Sequence, residues 1–380
     1  MNIQILTSSY PAFPDDPSGT AGLFVRAFAL ELAGRGHRVI IQPVARKEHY
    51  EPDPGLIIEP LPWGGGDREL ASLNFISPIN WPTILEFFRR ARKQVLHAHR
   101  NHEIDRTLCM WAVPAGLLGY WLNRATGKPY DVWALGSDIW KFGKVPLVGK
   151  AILGKVFISA DRIFADGVDL CRNVESIAGR HCRFLASSRL LPEPTVSAVR
   201  NPERLDLLFV GRYHRNKGPD LLIDSIRELS PGLRRKMHLR MFGVGSMKEA
   251  LLAAVERSRL DDCISIHDGL GAQQMADELG RSDYLVIPSR IESIPVVFSD
   301  ALQSGTPVIT MPVGDLPDLV KRSGSGILAD DLTASGLAAA IILADSQKAN
   351  NELGSNGYRF WQENFSVSQS VDRWLESETS

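Results

Sequence analysis

The chain has 380 residues, 44% apolar and 23% charged, with 43 Lys and Arg against 44 Asp and Glu. That length suits two domains, each large enough to bury a core, and a net charge of −1 gives no global pull toward nucleic acid or membrane. The cysteines Cys109, Cys171, Cys182 and Cys263 are scattered without paired metal spacing, which fits reduced thiols in a cytoplasmic protein.

The chain opens on Met1-Asn2-Ile3-Gln4-Ile5-Leu6-Thr7, a strand pattern that lacks a signal peptide's basic start and long apolar run. The longest apolar stretch, Trp111 to Leu122, is too short to span a bilayer. Strands are expected near 3–7, 39–43, 56–59, 95–98, 130–134 and 162–165, with helical patterns at 23–34, 84–93 and 106–126. A second series opens with a strand at 205–210 and continues with strands at 238–242, 263–267, 284–288 and 308–311. Its helices are expected over 218–229, 247–257 and 334–345. Such alternation implies parallel sheets covered on both faces, here two doubly wound α/β domains. Prolines and turn residues between Ala186 and Arg204 place the join there, giving domains 1–195 and 196–357. A last helix over 358–377, rich in aromatics, suits docking on the first domain or packing within the second. The dinucleotide fingerprint and the P-loop are both missing, which weighs against an oxidoreductase and an NTPase.

Chemistry concentrates in the second series. After its first strand comes Gly211-Arg212-Tyr213-His214-Arg215-Asn216-Lys217-Gly218, a short loop before a helix with Arg212 and Lys217 five apart. Ligands in such sheets bind beyond the carboxyl ends of the strands, where Arg212 can fork onto phosphate and Lys217 can act as a point charge. Further on, Pro288-Ser289-Arg290-Ile291-Glu292-Ser293-Ile294-Pro295 leads into a helix carrying Asp300 and then Ser304-Gly305-Thr306-Pro307-Val308. A loop acid, a helix N-terminus and a second acid suit a ligand with both phosphate and hydroxyl groups. Amides between Ile294 and Val297, including Val296, add to that phosphate site, except at Pro295, which has no N–H.

These segments resemble glycosyltransferase family 4, with its Gly-Arg and Lys-Gly loop and its acid, seven residues and second acid before a small-Gly-x-Pro-Val turn. The resemblance implies a GT-B fold, two Rossmann-like domains facing an interdomain cleft, with the acceptor on the first domain and the donor on the second. It implies that Gly211, Arg212 and Lys217 bind the donor diphosphate, that Glu292 contacts the transferred sugar and that Asp300 bonds the ribose. It also implies transfer of a hexose-type sugar from a nucleoside-diphosphate sugar, with retention of configuration and no metal or other cofactor. Polysaccharide or lipid-linked glycan assembly is the setting by analogy.

In the first half the family's adjacent glycines are spaced as Gly19 and Gly22, and its His-x-His is matched by His97 and His99. His99 is the acceptor candidate at an expected strand end, while His97 reads as packing. The family's His-Gly-Ser-Asp is here Leu135-Gly136-Ser137-Asp138, so no role attaches to position 135. Asp138 reads either as an acceptor-binding residue or as a helix N-cap. Residues 81–160 hold 12 Lys/Arg against 5 Asp/Glu. That bias fits contact with an anionic membrane, although sheet-covering helices with solvated basic faces explain it better. A nucleotide-sugar epimerase and a non-catalytic nucleotide-binding homologue are the rival readings.

Overall fold

A computed structural model describes residues 1–13, 22–45, 49–66, 70, 73, 77–140, 142, 149–195, 201–348 and 351–376. The chain divides into two units, Met1–Ser187 with Val367–Ser380, and Ser188–Ser366. The division falls within the expected linker, upstream of residue 195.

The first unit holds a parallel sheet of β1 (Asn2–Thr7), β2 (Arg38–Pro43), β3 (Leu56–Ile58), β4 (Arg106–Met110), β5 (Tyr130–Ala134), β6 (Arg162–Ala165) and β7 (Arg183–Phe184). Their order is β3-β2-β1-β4-β5-β6-β7. Its helices are α1 (Leu23–Gly34), α2 (Trp81–Asn101), α3 (Leu117–Thr126), α4 (Ser137–Trp140), α5 (Gly149–Ser159) and α6 (Val168–Ala178). Strand alternation supplies a core on each face: Leu6, Cys109 and Val132 look to one cluster, and Ile5, Leu108, Met110 and Trp133 to the other.

Two expectations in this unit are corrected. Residues 95–98 form the last turns of α2 instead of a strand, because Ile84, Phe87, Ala91, Val95 and Ala98 continue one buried helical stripe. The strand lies further on, at Arg106–Met110, where a long helix was expected, and only Leu117–Thr126 of that stretch is α-helical.

The second unit holds β8 (Leu205–Val210), β9 (Met237–Phe242), β10 (Ile264–His267), β11 (Tyr284–Ile287), β12 (Val308–Thr310) and β13 (Gly326–Leu328), in order β10-β9-β8-β11-β12-β13. Its helices are α7 (Pro219–Glu228), α8 (Pro231–Arg235), α9 (Lys248–Arg257), α10 (Ala272–Gly280), α11 (Val296–Gln303), α12 (Leu316–Ser323), α13 (Ala334–Ser346) and α14 (Glu352–Asn364). The expected terminal helix is split at Phe365 and Ser366. The segment after the break, α15 (Val367–Glu376), returns to the first unit. There Trp374 is fully buried against Phe28, its indole N–H donates to Asp131 Oδ2 (3.1 Å), and Arg162 donates to its carbonyl (2.8 Å).

Candidate functional site

In the second sheet the chain order reverses between β8 and β11, which are direct neighbours. The carboxyl ends of the two strands at such a switch point diverge into loops that leave a ligand crevice. The loop after β8 carries Arg212 and Lys217, and the loop after β11 carries Glu292. Three of the expected donor residues therefore converge at the topological switch.

Close backbone approach locks the loops together. Gly218 has φ +68°, and a Cβ there would lie 1.9 Å from the Pro288 carbonyl oxygen. Gly314, in the loop after β12, has φ +53°, and its Cβ would lie 2.2 Å from the Glu292 carbonyl oxygen. Only glycine tolerates both the left-handed backbone and the missing space. Arg290 adds a brace: its guanidinium forks onto Asp220 (2.8 and 2.9 Å), and its backbone N–H donates to the Asn216 carbonyl (2.8 Å). Burial alone would raise the Asp220 carboxyl, but the Arg290 pair outweighs it and holds the group below its ordinary range. Tyr213, fully buried, pins the same loop with its hydroxyl within hydrogen-bond distance of the Met241 and His267 carbonyls (2.9 and 2.7 Å).

On this frame Lys217 Nζ makes an ion pair with Glu292 Oε2, the two side chains being 25% and 15% exposed. Ser289 Oγ stands 3.4 Å from the same carboxylate oxygen. Arg212 is exposed, and its guanidinium has no ion-pair partner among the described residues. Helix α11 starts at Val296 with Pro295 as an extended N-cap, so the amides of Val296 and Val297 lie in its unbonded first turn. Nearby in sequence, Ser293 Oγ is buried without a hydrogen-bond partner among the described residues, as is Thr310 Oγ1 at the carboxyl end of β12. Ile294 is buried at the head of the loop, and Gly211 follows directly after β8.

Asp300 does not join this group. Its carboxylate is fully buried and is held by Arg189, with Nη2 2.7 Å from Oδ2 and Nε 3.0 Å from Oδ1. Aspartate is one methylene shorter than glutamate, and the buried guanidinium occupies its acceptor positions. The residue expected to bond the ribose thus stands in an internal ion pair in this structure.

In the first unit two more of the expected residues are buried. His99 lies in α2, 5% exposed, with Nδ1 3.4 Å from Gln4 Oε1, and not at a strand end. Burial, with Lys128 and Arg100 nearby, lowers its pKa. Asp138 is buried too: its carboxylate accepts the amides of Ala112 (2.5 Å), Ile139 (3.1 Å) and Leu135 (3.3 Å), tying the loop after β4 to the one after β5. Burial pushes this carboxyl up to about 6 against the pull of those amides. Both residues make internal hydrogen bonds in this structure. Gly22 caps α1 in close contact with Tyr10, where a Cβ would lie 2.7 Å from the Tyr10 Cα, and Gly19 lies outside the described residues.

Sequence reasoning missed Arg290, Asp220 and Gly314. Arg290 was in plain view beside Glu292, but its partner is 70 positions away and no local pattern links them. A Gly-Asp step in the loop after β12 was the one signal available for Gly314.

Residues 204–344 match the model of the family described as glycosyl transferases group 1. Curated relatives include the D-inositol 3-phosphate glycosyltransferase of Paenarthrobacter aurescens, 28% identical over 366 residues, 89% of this chain and 87% of that protein. That of Segniliparus rotundus is 32% identical over 133 residues, covering 34% of this chain and 30% of the relative. The matches to the first three curated relatives span between 30% and 54% of their lengths. Among solved structures, sucrose-phosphate synthase from Thermosynechococcus elongatus is similar over 100% of this chain and 98% of that one, with TM-score 0.78 and 19% identity. Anabaena HepE in complex with UDP and glucose is similar over the full length of both chains, with TM-score 0.70 and 15% identity. The two parallel-sheet units are thus those of the GT-B fold. Over residues 204–344, within its second unit, the chain is similar to the group 1 glycosyltransferases.

Proposed function

We propose that the protein transfers a hexose-type sugar from a nucleoside-diphosphate sugar to an acceptor hydroxyl. The observation that carries this reading is the convergence of Arg212, Lys217 and Glu292 at the switch point between β8 and β11, beside the start of α11. A diphosphate placed there meets the unpaired Arg212 guanidinium and the amides of Val296 and Val297. Lys217 then exchanges Glu292 for a phosphate oxygen, which frees the Glu292 carboxylate to accept hydrogen bonds from the sugar. As the glycosidic bond breaks, negative charge grows on the departing diphosphate, and donors already fixed around it stabilise that charge most effectively. The related HepE structure holds UDP and glucose, which favours a uridine donor. The family resemblance adds retention at the anomeric carbon, and it is the support for placing the acceptor on the first unit.

A thermal-shift panel of UDP, GDP, ADP, CDP and their sugar conjugates tests this reading, run alongside Arg212→Ala and Lys217→Ala. A ligand at 100 times its Kd should add roughly 2.7 kcal/mol of stability. Stabilisation by one diphosphate that both variants lose supports the site. A flat panel on folded protein, with no donor consumed in the presence of simple glycosides or lipid-linked acceptors, overturns it.

A further inference from the structure

The outer side of the α2 start is unusually apolar for a surface. Ile79 is 83% exposed, Leu85 67% and Trp81 51%. The inward stripe of α2, from Ile84 through Ala98, covers the sheet, which turns Leu85 outward. Arg89 and Lys93 follow Leu85 at successive four-residue steps, so they continue the same outward ladder, and both are exposed. From Trp81 to Asn101 the helix carries five Lys/Arg and one acid, Glu86, which pairs with Arg89 (2.8 Å) and Arg90 (2.6 Å). The surface thus has an apolar tip containing a tryptophan and a basic shaft directly behind it. A bilayer interface presents the matching layers in the same order, the acyl boundary beneath the headgroup phosphates.

We propose that the start of α2 docks the first unit on an anionic lipid surface, with Ile79, Trp81 and Leu85 entering the headgroup layer and Arg89 and Lys93 meeting lipid phosphate. The charge of the shaft selects anionic lipid, since basic side chains near such a surface are each attracted to it. The topology gives the docking a purpose. Helix α2 connects the parallel strands β3 and β4, so it runs back against them and its N-terminus lies at their carboxyl edge. Ligands of such sheets bind at that edge. An acceptor hydroxyl borne by a lipid would therefore reach the first unit from the docked side. This last step rests on the glycosyltransferase reading, whereas the docking itself does not.

The test is flotation of the full chain with vesicles of phosphatidylcholine alone and with phosphatidylglycerol added. The wild-type chain should float with the mixed vesicles only, and less at high salt. Trp81→Ser with Leu85→Glu should weaken flotation about tenfold or more, and Arg89→Gln with Lys93→Gln should remove its salt dependence. Each variant should keep the wild-type melting profile and nucleotide-induced stabilisation, which shows that it is folded. A wild-type chain that stays unfloated, floats equally on both vesicles, or floats as well after the paired substitutions overturns the proposal. So does a dimer that Leu85→Glu dissociates without any flotation, which would assign the tip to a second copy. Flotation that persists while the nucleotide panel is flat would count against the functional reading and leave the docking standing.

Discussion

Arg189 and Asp300, 111 positions apart, form a forked ion pair inside the second unit, with Asp300 fully buried. Burial raises the Asp300 carboxyl against the pull of Arg189, whereas at Arg189 burial pulls downward but the Asp300 charge outweighs it and raises the guanidinium. Removing one partner leaves the other buried and uncompensated. Arg189→Ala should therefore lower the stability of the second unit by about 3–5 kcal/mol, and Arg189→Met with Asp300→Leu should recover much of the loss. Urea denaturation measures both. Nucleotide affinity of the double variant should stay within about threefold of wild type, which amounts to less than one charged hydrogen bond. A much larger fall would return Asp300 to the ribose.

The Lys217–Glu292 pair separates two tasks that steady-state kinetics can read. Lys217→Ala and Arg212→Ala should each lower kcat/KM by about 100-fold, with nucleoside diphosphate affinity falling in parallel. Glu292→Gln should lower kcat while diphosphate affinity holds, because the carboxylate faces the sugar in the proposed complex. Equal losses of diphosphate affinity in all three variants would contradict that division.

Gly218 supports the same site without contacting ligand. Gly218→Ala introduces a Cβ 1.9 Å from the Pro288 oxygen at φ +68°. The strained backbone should cost about 1–3 kcal/mol and push the two loops apart. Isothermal titration should show weaker nucleotide binding although no charge has changed. Unchanged affinity would mean that the loops are held by Arg290 and Asp220 alone.

Asp138 gives the first unit a pH dependence with a definite sign. Its pKa is raised from 3.8 to about 6 on folding. The folded state then holds the proton more tightly, so the stabilisation it supplies is full below pH 3.8 and is lost as pH rises through about 6. A shift of that size corresponds to about 3 kcal/mol. The lead of wild type over Asp138→Asn, followed as the melting midpoint of the first unit between pH 4 and 7, should shrink over that interval. A lead that stays constant would show that Asp138 does not titrate there.

Trp374 tests the return of the chain terminus. It is the largest side chain that α15 buries, packed on Phe28 and bonded to Asp131. Trp374→Ala should cost the first unit about 3–5 kcal/mol while the melting of the second unit stays in place. Differential scanning calorimetry that moved only the second transition would contradict the assignment of α15.

The sequence alone was enough for the alternation of strands and helices, the two doubly wound units and the loops carrying Arg212, Lys217 and Glu292. Each of these is written in short-range terms: side-chain period, turn residues, and the rule that ligands meet a parallel sheet at its carboxyl edge. Even there, residues 95–98 and 106–110 were misread, because a short apolar run looks alike in a buried helix turn and in a buried strand. Only the tertiary structure decided which charged groups are free and which are spent. Asp300 is paired with a guanidinium 111 positions upstream, Asp138 with the amide of Ala112, and His99 is buried beside Gln4. It also sent α15 to the first unit after the chain had crossed the second. Such outcomes depend on packing between segments distant in the chain, and nothing in local periodicity encodes which partner a buried charge will find.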